Sequence, residues 1–427
     1  MLMPSSRWLY LKRKGSAFGW RHVSDVSEGC TNMHCEVRFA ASIVIDIVTK
    51  NKNQRSQEGR EPMKRSILTI AMAVVLTAPL ARGAESVHLT VGYQPYDTIS
   101  YSAVVIRGLE LWKKHLPPGS TVDFESALQG AIIVNAMLAD KQQIGYLGDM
   151  PAVVSTTKTK QAPIKLVAST GLSAGQRCNV IMVRADAPEF KTPEEAVKWL
   201  DGKTIATPRG SCADRFLRQV IEMAGIKPKE VLNQSIEVIA TNFRAKRIDA
   251  ATLWEPSVSR IGDFVGEGIA REVVTGHNFN MPDGGFIAMR EDFMKANPEI
   301  VKAWLETELE AQLFLLDPKN WEKVSDLVRS QTEGITTRMA WFSLFGAVPP
   351  ERGGSPLRDE KPFTFDTRVR QHLDTIYTFL HGAKVIDVDK APEGAIDDSV
   401  AVSVAKNKSQ AVPIGVIKPL AVSQAPK

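Results

Sequence analysis

Metal-binding and catalytic signatures are scarce in this chain. Four cysteines and seven histidines are scattered through 427 residues. No CxxC and no HExxH occurs, so structural zinc and zinc-hydrolase chemistry have no ligand set. P-loop and paired-acid signatures are missing from the residues after 84, which leaves the familiar nucleotide loops unrepresented. No metal site, no cofactor and no catalytic residue is expected. Long apolar runs are lacking too: none reaches the roughly 20 residues a membrane-spanning helix needs. Basic excess is confined to one end. The chain has 53 Lys and Arg against 48 Asp and Glu, but residues 1–84 hold 13 of the bases and 6 of the acids. That leaves 40 against 42 for the rest. The body therefore has no basic stripe, and nucleic acid is not an expected partner.

What is present begins at Met63. Lys64 and Arg65 form a positive start, Ile67 to Leu80 is apolar, and Ala81-Arg82-Gly83 offers a small-residue cleavage pattern. This reads as an export signal over residues 63–84, with the cut near Gly83 or Ala84. A membrane anchor or buried helix is the alternative. Residues 1–62 precede that signal without a clear element, and the expectation is a mis-set start, with translation beginning at Met63. Past the signal, only Cys178 and Cys212 remain. They form an even pair in a chain bound for an oxidising compartment, each at an end of a strand-like run. A disulfide and two separate small core residues are both open readings.

From Ser86 to Asp389 strand-like and helix-like segments alternate. Val87 to Gly92, Thr121 to Phe124, Ile144 to Leu147, Ile164 to Ala168 and Val180 to Val183 read as strands. Ser102 to His115 and Ala131 to Ala139 read as helices between the first of them. This β-α-β-α order predicts a parallel sheet flanked by helices. Thr192-Pro193-Glu194-Glu195 opens another helix with a capping residue and an early proline. Thr204 to Ala206, Ile236 to Ile239, Ala250 to Trp254 and Phe286 to Met289 are further expected strands. Helices are expected over Ala213 to Met223, Pro298 to Leu316, Trp321 to Arg329, Arg338 to Phe345 and Thr367 to Leu380. From Ala391 the periodicity is lost, and residues 391–427 are expected to be a disordered tail.

Three loops stand between a strand-like and a helix-like run: Gly148-Asp149-Met150-Pro151, Pro208-Arg209-Gly210-Ser211 and Leu253-Trp254-Glu255-Pro256. In α/β proteins such turns carry outward-facing backbone N–H groups. Ser211 is placed to cap a helix, with Asp214 three residues on, and the N–H groups of Ser211, Cys212 and Ala213 suit an anion. Asp149 has two readings, a helix cap or a contact to a bound molecule beside Gly148. Gln94 and Tyr96 follow the first strand, and Gln129-Gly130 opens an apolar helix. Trp254 is either a rim for an apolar group or core packing. Glu255 could pair a ligand cation, cap a helix or meet a closing arginine. Arg177 and Arg209 could bring positive charge to the mouth, or lie solvated at the surface.

The runs Ala127-Leu128-Gln129-Gly130 and Ile144 to Pro151, then Pro208 to Ala213 and Ala250 to Pro256, together resemble the nitrate/sulfonate/taurine group of ABC-transporter substrate-binding proteins. The resemblance covers most of residues 86–385. It implies an α/β, two-lobed periplasmic-binding-protein-like fold of type II, with two crossover strands joining the lobes and a ligand cleft between them. One lobe would comprise 86–175 plus 278–390, the other 176–277. The implied role is that of a periplasmic protein, expected as a monomer, that hands a small anionic or zwitterionic solute to an ABC permease. The ligand residues expected are Gln94, Tyr96, Gln129, Gly130, Gly148, Asp149, Gly210, Ser211, Cys212, Ala213, Trp254 and Glu255. Two positions depart from the better-known pattern, Gln129 where sulfonate binders commonly have a small residue, and the acidic Glu255. The alternatives are an enzyme like the pyrimidine synthases of thiamine biosynthesis, which share the architecture but have clustered cysteines, and a solute-sensing ectodomain.

Overall fold

In a computed structural model, residues 85–427 are described. The expected export signal and the segment before it lie outside the described residues. Alternating side chains within each strand build two sheets. The first has seven strands: β1 (His88–Tyr93), β2 (Thr121–Ser126), β3 (Ile144–Gly148), β4 (Ile164–Ser173), β10 (Asp283–Arg290), β11 (Asp359–Lys361) and β12 (Gly415–Ile417), ordered β12-β11-β4-β10-β3-β1-β2. The second has five: β5 (Val180–Arg184), β6 (Thr204–Thr207), β7 (Glu230–Asn233), β8 (Ala250–Leu253) and β9 (Ala270–Thr275), ordered β7-β6-β8-β5-β9. Along β5, Val180 and Met182 enter one apolar cluster while Ile181 and Val183 enter another. Both faces of that sheet are therefore covered, as a continuous apolar strand requires.

Neither sheet is purely parallel. β1 runs parallel to β2 and β3, but β10 lies antiparallel between β3 and β4. In the second sheet β5 is antiparallel to both β8 and β9. The cause is the crossing itself. The chain leaves the first sheet after β4 and returns to it at β10, so the two strands that cross run in opposite directions. The crossing segments lie side by side: the Gly276 N–H donates to the carbonyls of Gly175 and Asn179 at 3.0 and 2.8 Å. Gly175 has φ +103°, and a Cβ there would stand 2.3 Å from the Met281 carbonyl oxygen. Only glycine fits such a position.

Several expectations are corrected. Ile236 to Ile239 is not a strand but the start of the helix Ile236–Arg244, capped by the Ser235 side chain, which accepts from the Val238 N–H. Its buried residues Ile236, Ile239, Ala240 and Phe243 have helical spacing, while the four-residue apolar run alone fits either period. β7 was not expected because it is a largely exposed edge strand without an apolar run. The helix expected over Ser102 to His115 ends at Leu109. Glu110 then takes φ 51°, and a 3-10 turn, Leu111–Lys114, follows. The tail is ordered rather than disordered. Ser399–Asn407 is a helix, and β12 adds to the edge of the first sheet. Ala401, Val404 and Ala405 pack into the main core; these small residues carry little hydrophobic signal in sequence.

Candidate ligand-binding site

Strand ends supply the site. Gln94 follows β1, Gln129 follows β2 and Gly148 ends β3, all from the first sheet. Arg209 to Cys212 follow β6 and Trp254 follows β8, from the second. Together with Asp97, Gly130, Ala131 and Pro151 they enclose a hollow of about 370 Å³ including its mouth. The space open to a water-sized group within it is only about 20 Å³, room for about one water, so a solute of several heavy atoms needs the walls to part.

The second-sheet wall is a helix start. Ser211 is the N-cap of the helix Cys212–Ala224; its Oγ accepts from the Asp214 N–H at 3.2 Å and donates to the Pro208 carbonyl at 2.6 Å. The Asp214 carboxylate in turn accepts from the Gly210 N–H at 2.9 Å. The Gly210 amide is thus already engaged, and the first N–H groups of the helix are those with no partner inside it. A partial positive charge accumulates there. Cys212 is joined to Cys178 by a disulfide with a Cα–Cα distance of 6.1 Å. The first turn of this helix is thereby tied to the start of β5.

On the first-sheet wall, two helices begin at the hollow, Gly130–Leu138 and Asp149–Thr156. They approach closely: a Cβ at Gly130 would stand 2.5 Å from the Pro151 ring. Gln94 is held by its Nε2 to the Tyr146 carbonyl at 3.3 Å and by its N–H to Ser100 Oγ at 3.1 Å. Trp254 is buried, and its Nε1 donates to the Tyr96 carbonyl at 2.9 Å. The indole therefore lines the hollow and also bridges to a loop of the first sheet.

Of the residues expected at the site, Gln94, Gln129, Gly130, Gly148, Gly210, Ser211, Cys212 and Trp254 come together around the hollow. Four do not line it. Asp149 is fully buried; Gly148 takes the cap position, and Asp149 Oδ2 lies 3.0 Å from both Arg215 Nη2 and His372 Nε2. Burial pulls its carboxyl upward, but Arg215 and His372 outweigh that and hold it below the usual carboxylate range. Glu255 is also buried, with Oε1 2.9 Å from Arg358 Nη2 and Oε2 accepting from the Ser259 N–H and hydroxyl. Two of its three readings meet here, the arginine partner and a cap for the first turn of the helix Ser257–Ile261. Tyr96 turns its hydroxyl away, where it accepts from the Glu333 N–H at 2.6 Å. Ala213 packs in the core behind the helix turn.

Arg209 lines the mouth, whereas Arg177 is buried between Asp283 (3.2 Å) and Asp359 (3.4 Å). Asp97, Ala131 and Pro151 were not among the expected ligand residues. Asp97 lies three residues past Gln94, and an acid in that loop was the available signal. Burial pushes its carboxyl up to about 7; the Ile99 N–H and the nearby Arg177 oppose this. Among the described residues no cluster of three or more His, Cys, Asp or Glu could hold a metal ion, and no helix is long and apolar enough to cross a membrane.

Two sheets joined by a paired crossing, with a hollow at the strand ends between them, make up the two-lobed fold of periplasmic binding proteins. The sequence relatives narrow it. The family model described as NMT1/THI5 like matches residues 122–320. The taurine-binding periplasmic protein of Escherichia coli (strain K12) is 28% identical over 272 residues, covering 62% of this chain and 78% of that protein. A binding protein of Brucella abortus (strain 2308) is 31% identical over 261 residues, covering 59% and 74%. The chain belongs to the nitrate/sulfonate/taurine group of ABC-transporter substrate-binding proteins. Solved structures agree on the fold. The alkanesulfonate-binding protein from Xanthomonas axonopodis pv. citri, bound to MOPS, superposes with TM-score 0.58 at 19% identity, covering 73% of this chain and 99% of that one. The periplasmic nitrate-binding protein from Synechocystis PCC 6803 gives 0.60 at 14%, covering 76% and 89%. A desulfurization enzyme also shares the fold, with TM-score 0.53 at 14% identity and coverage of 75% and 99%.

Proposed function

We propose that this protein is the periplasmic solute-binding component of an ABC importer. It captures a small anionic or zwitterionic solute such as nitrate, a sulfonate or taurine and delivers it to the permease. The observation that carries this reading is the hollow lined from both lobes, with the Ser211 helix start on one wall. Each hydrogen bond from a fixed N–H to an ionised oxygen contributes roughly 1.5–3 kcal/mol, so a few are enough for micromolar affinity. Closure of the lobes over the solute would present the closed form to the permease.

The shared fold of a desulfurization enzyme raises catalysis as a second reading. Against it, both cysteines among the described residues are consumed in the Cys178–Cys212 disulfide, so no thiol is left there to act as a nucleophile. Thermal shift of the purified protein with nitrate, taurine, alkyl and aryl sulfonates, cyanate and aminopyrimidines tests the reading. A solute at about 1,000 times its Kd stabilises by about 4 kcal/mol, which gives a clear rise in Tm. A rise with nitrate, taurine or a sulfonate supports the reading. A rise confined to the aminopyrimidines would contradict the proposed solute class, and turnover of any solute would contradict the binding role.

A further inference from the structure

The hollow has walls of opposite character. One is the start of the Cys212–Ala224 helix, whose first N–H groups lack partners inside the helix and carry its partial positive charge. The other carries the carboxyl of Asp97, only 5% exposed. Asp97 caps the short turn Thr98–Ser100, and its Oδ1 accepts from the Ile99 N–H at 3.1 Å. It makes no ion pair among the described residues. Arg177, the cation that draws it, is held instead by Asp283 and Asp359. The neighbouring Asp283 and Asp149 add repulsion that offsets part of this attraction. Asp97 thus has no direct charge partner in a cluster where two other acids hold the facing arginine. A buried carboxyl in that position needs a partner that can donate to it.

We propose that Asp97 is a specificity-determining residue that selects solutes bearing a protonated nitrogen as well as an anionic group. The anionic end lies at the Ser211 helix start and the ammonium at Asp97. This rests on the solute-binding reading above and narrows it, because nitrate and unsubstituted alkanesulfonates leave Asp97 unpaired and bring a second negative charge toward it.

The test is a calorimetric comparison of taurine, ethanesulfonate and nitrate on the purified protein and on Asp97→Asn. Taurine should bind the wild type at least about tenfold more tightly than ethanesulfonate, the loss expected for one hydrogen bond to a charged group. In Asp97→Asn the two sulfonates should come within about threefold, because the amide no longer attracts the ammonium or repels the sulfonate. Ethanesulfonate or nitrate binding the wild type as tightly as taurine overturns the role of Asp97 and leaves the solute-binding reading standing. A taurine preference that survives in a folded Asp97→Asn overturns it equally. Binding of none of the three removes this anion-site assignment together with the inference. The wild-type comparison decides the matter even where the variant does not fold.

Discussion

Asp149 and Arg215 lie 3.0 Å apart with almost no solvent contact, and His372 closes the other side of the same carboxylate oxygen. A buried pair of this kind contributes little beyond an apolar replacement, but removing one member strands the other charge. Arg215→Ala is expected to cost about 3–5 kcal/mol in denaturant unfolding, and Asp149→Leu combined with Arg215→Met should recover much of it. Glu272 behaves in the opposite way. It is buried, and its Oε1 has no partner. Burial first, and the Glu255 charge second, push it from 4.5 up to about 8, while Arg358 and Arg352 pull back. The folded protein therefore holds that proton more tightly than the unfolded chain, and stability is lost as pH rises from about 4.5 through about 8. Glu272→Gln should raise Tm at pH 8.5 and leave it unchanged at pH 4. These roles were not legible in the sequence, because the partners of Asp149 lie 66 and 223 residues away. Only residue type was visible, and an aspartate at the start of a helix suits capping as well as pairing.

At the scale of elements, legibility followed local chemistry. Ser211 with Asp214, and Thr192 before Pro193, announce their helices because capping is a matter of three or four adjacent residues. Eight of the site residues were readable for the same reason: they sit at helix starts and strand ends, which short motifs mark. Strand Glu230–Asn233 was missed because it lacks an apolar run and its state comes from pairing with β6, and the helix Ile236–Arg244 was misread because the short run Ile236 to Ile239 fits either period. The disulfide is an element-scale feature as well. It closes a loop of 34 residues and fixes the helix whose first turn lines the hollow. Replacing both Cys178 and Cys212 by alanine should lower stability by about 3–4 kcal/mol on the loop-entropy account. Solute affinity should fall along with it, as reported by titration calorimetry, since the helix start would no longer be tethered to β5. Unchanged affinity would show that the helix is held in place by packing alone.

Across the whole molecule, contacts between the two sheets' loops surround the hollow. Trp254 reaches the Tyr96 carbonyl, the Thr98 N–H donates to the Glu255 carbonyl, and Arg358 and Arg215 cross to Glu255 and Asp149. These ties hold the two walls together around a hollow with only about 20 Å³ of open space, so a solute of several heavy atoms needs them to part. On the proposed reading the Ser211 helix start receives the anionic end of a small solute. Gly210 gives the most direct access to it. Its φ is +78°, and nothing stands within 4 Å of a Cβ placed there. Asparagine and aspartate both tolerate that conformation, so a pair of variants differs in charge alone. The decisive measurement is titration calorimetry of wild type, Gly210→Asn and Gly210→Asp with whichever solute raises Tm most. Single-site binding kept within a few-fold in Gly210→Asn and weakened at least about tenfold in Gly210→Asp is the predicted result, since a carboxylate beside the anion adds repulsion in a poorly solvated hollow. Equal affinity in the two variants would contradict the placement of an anion at this helix start.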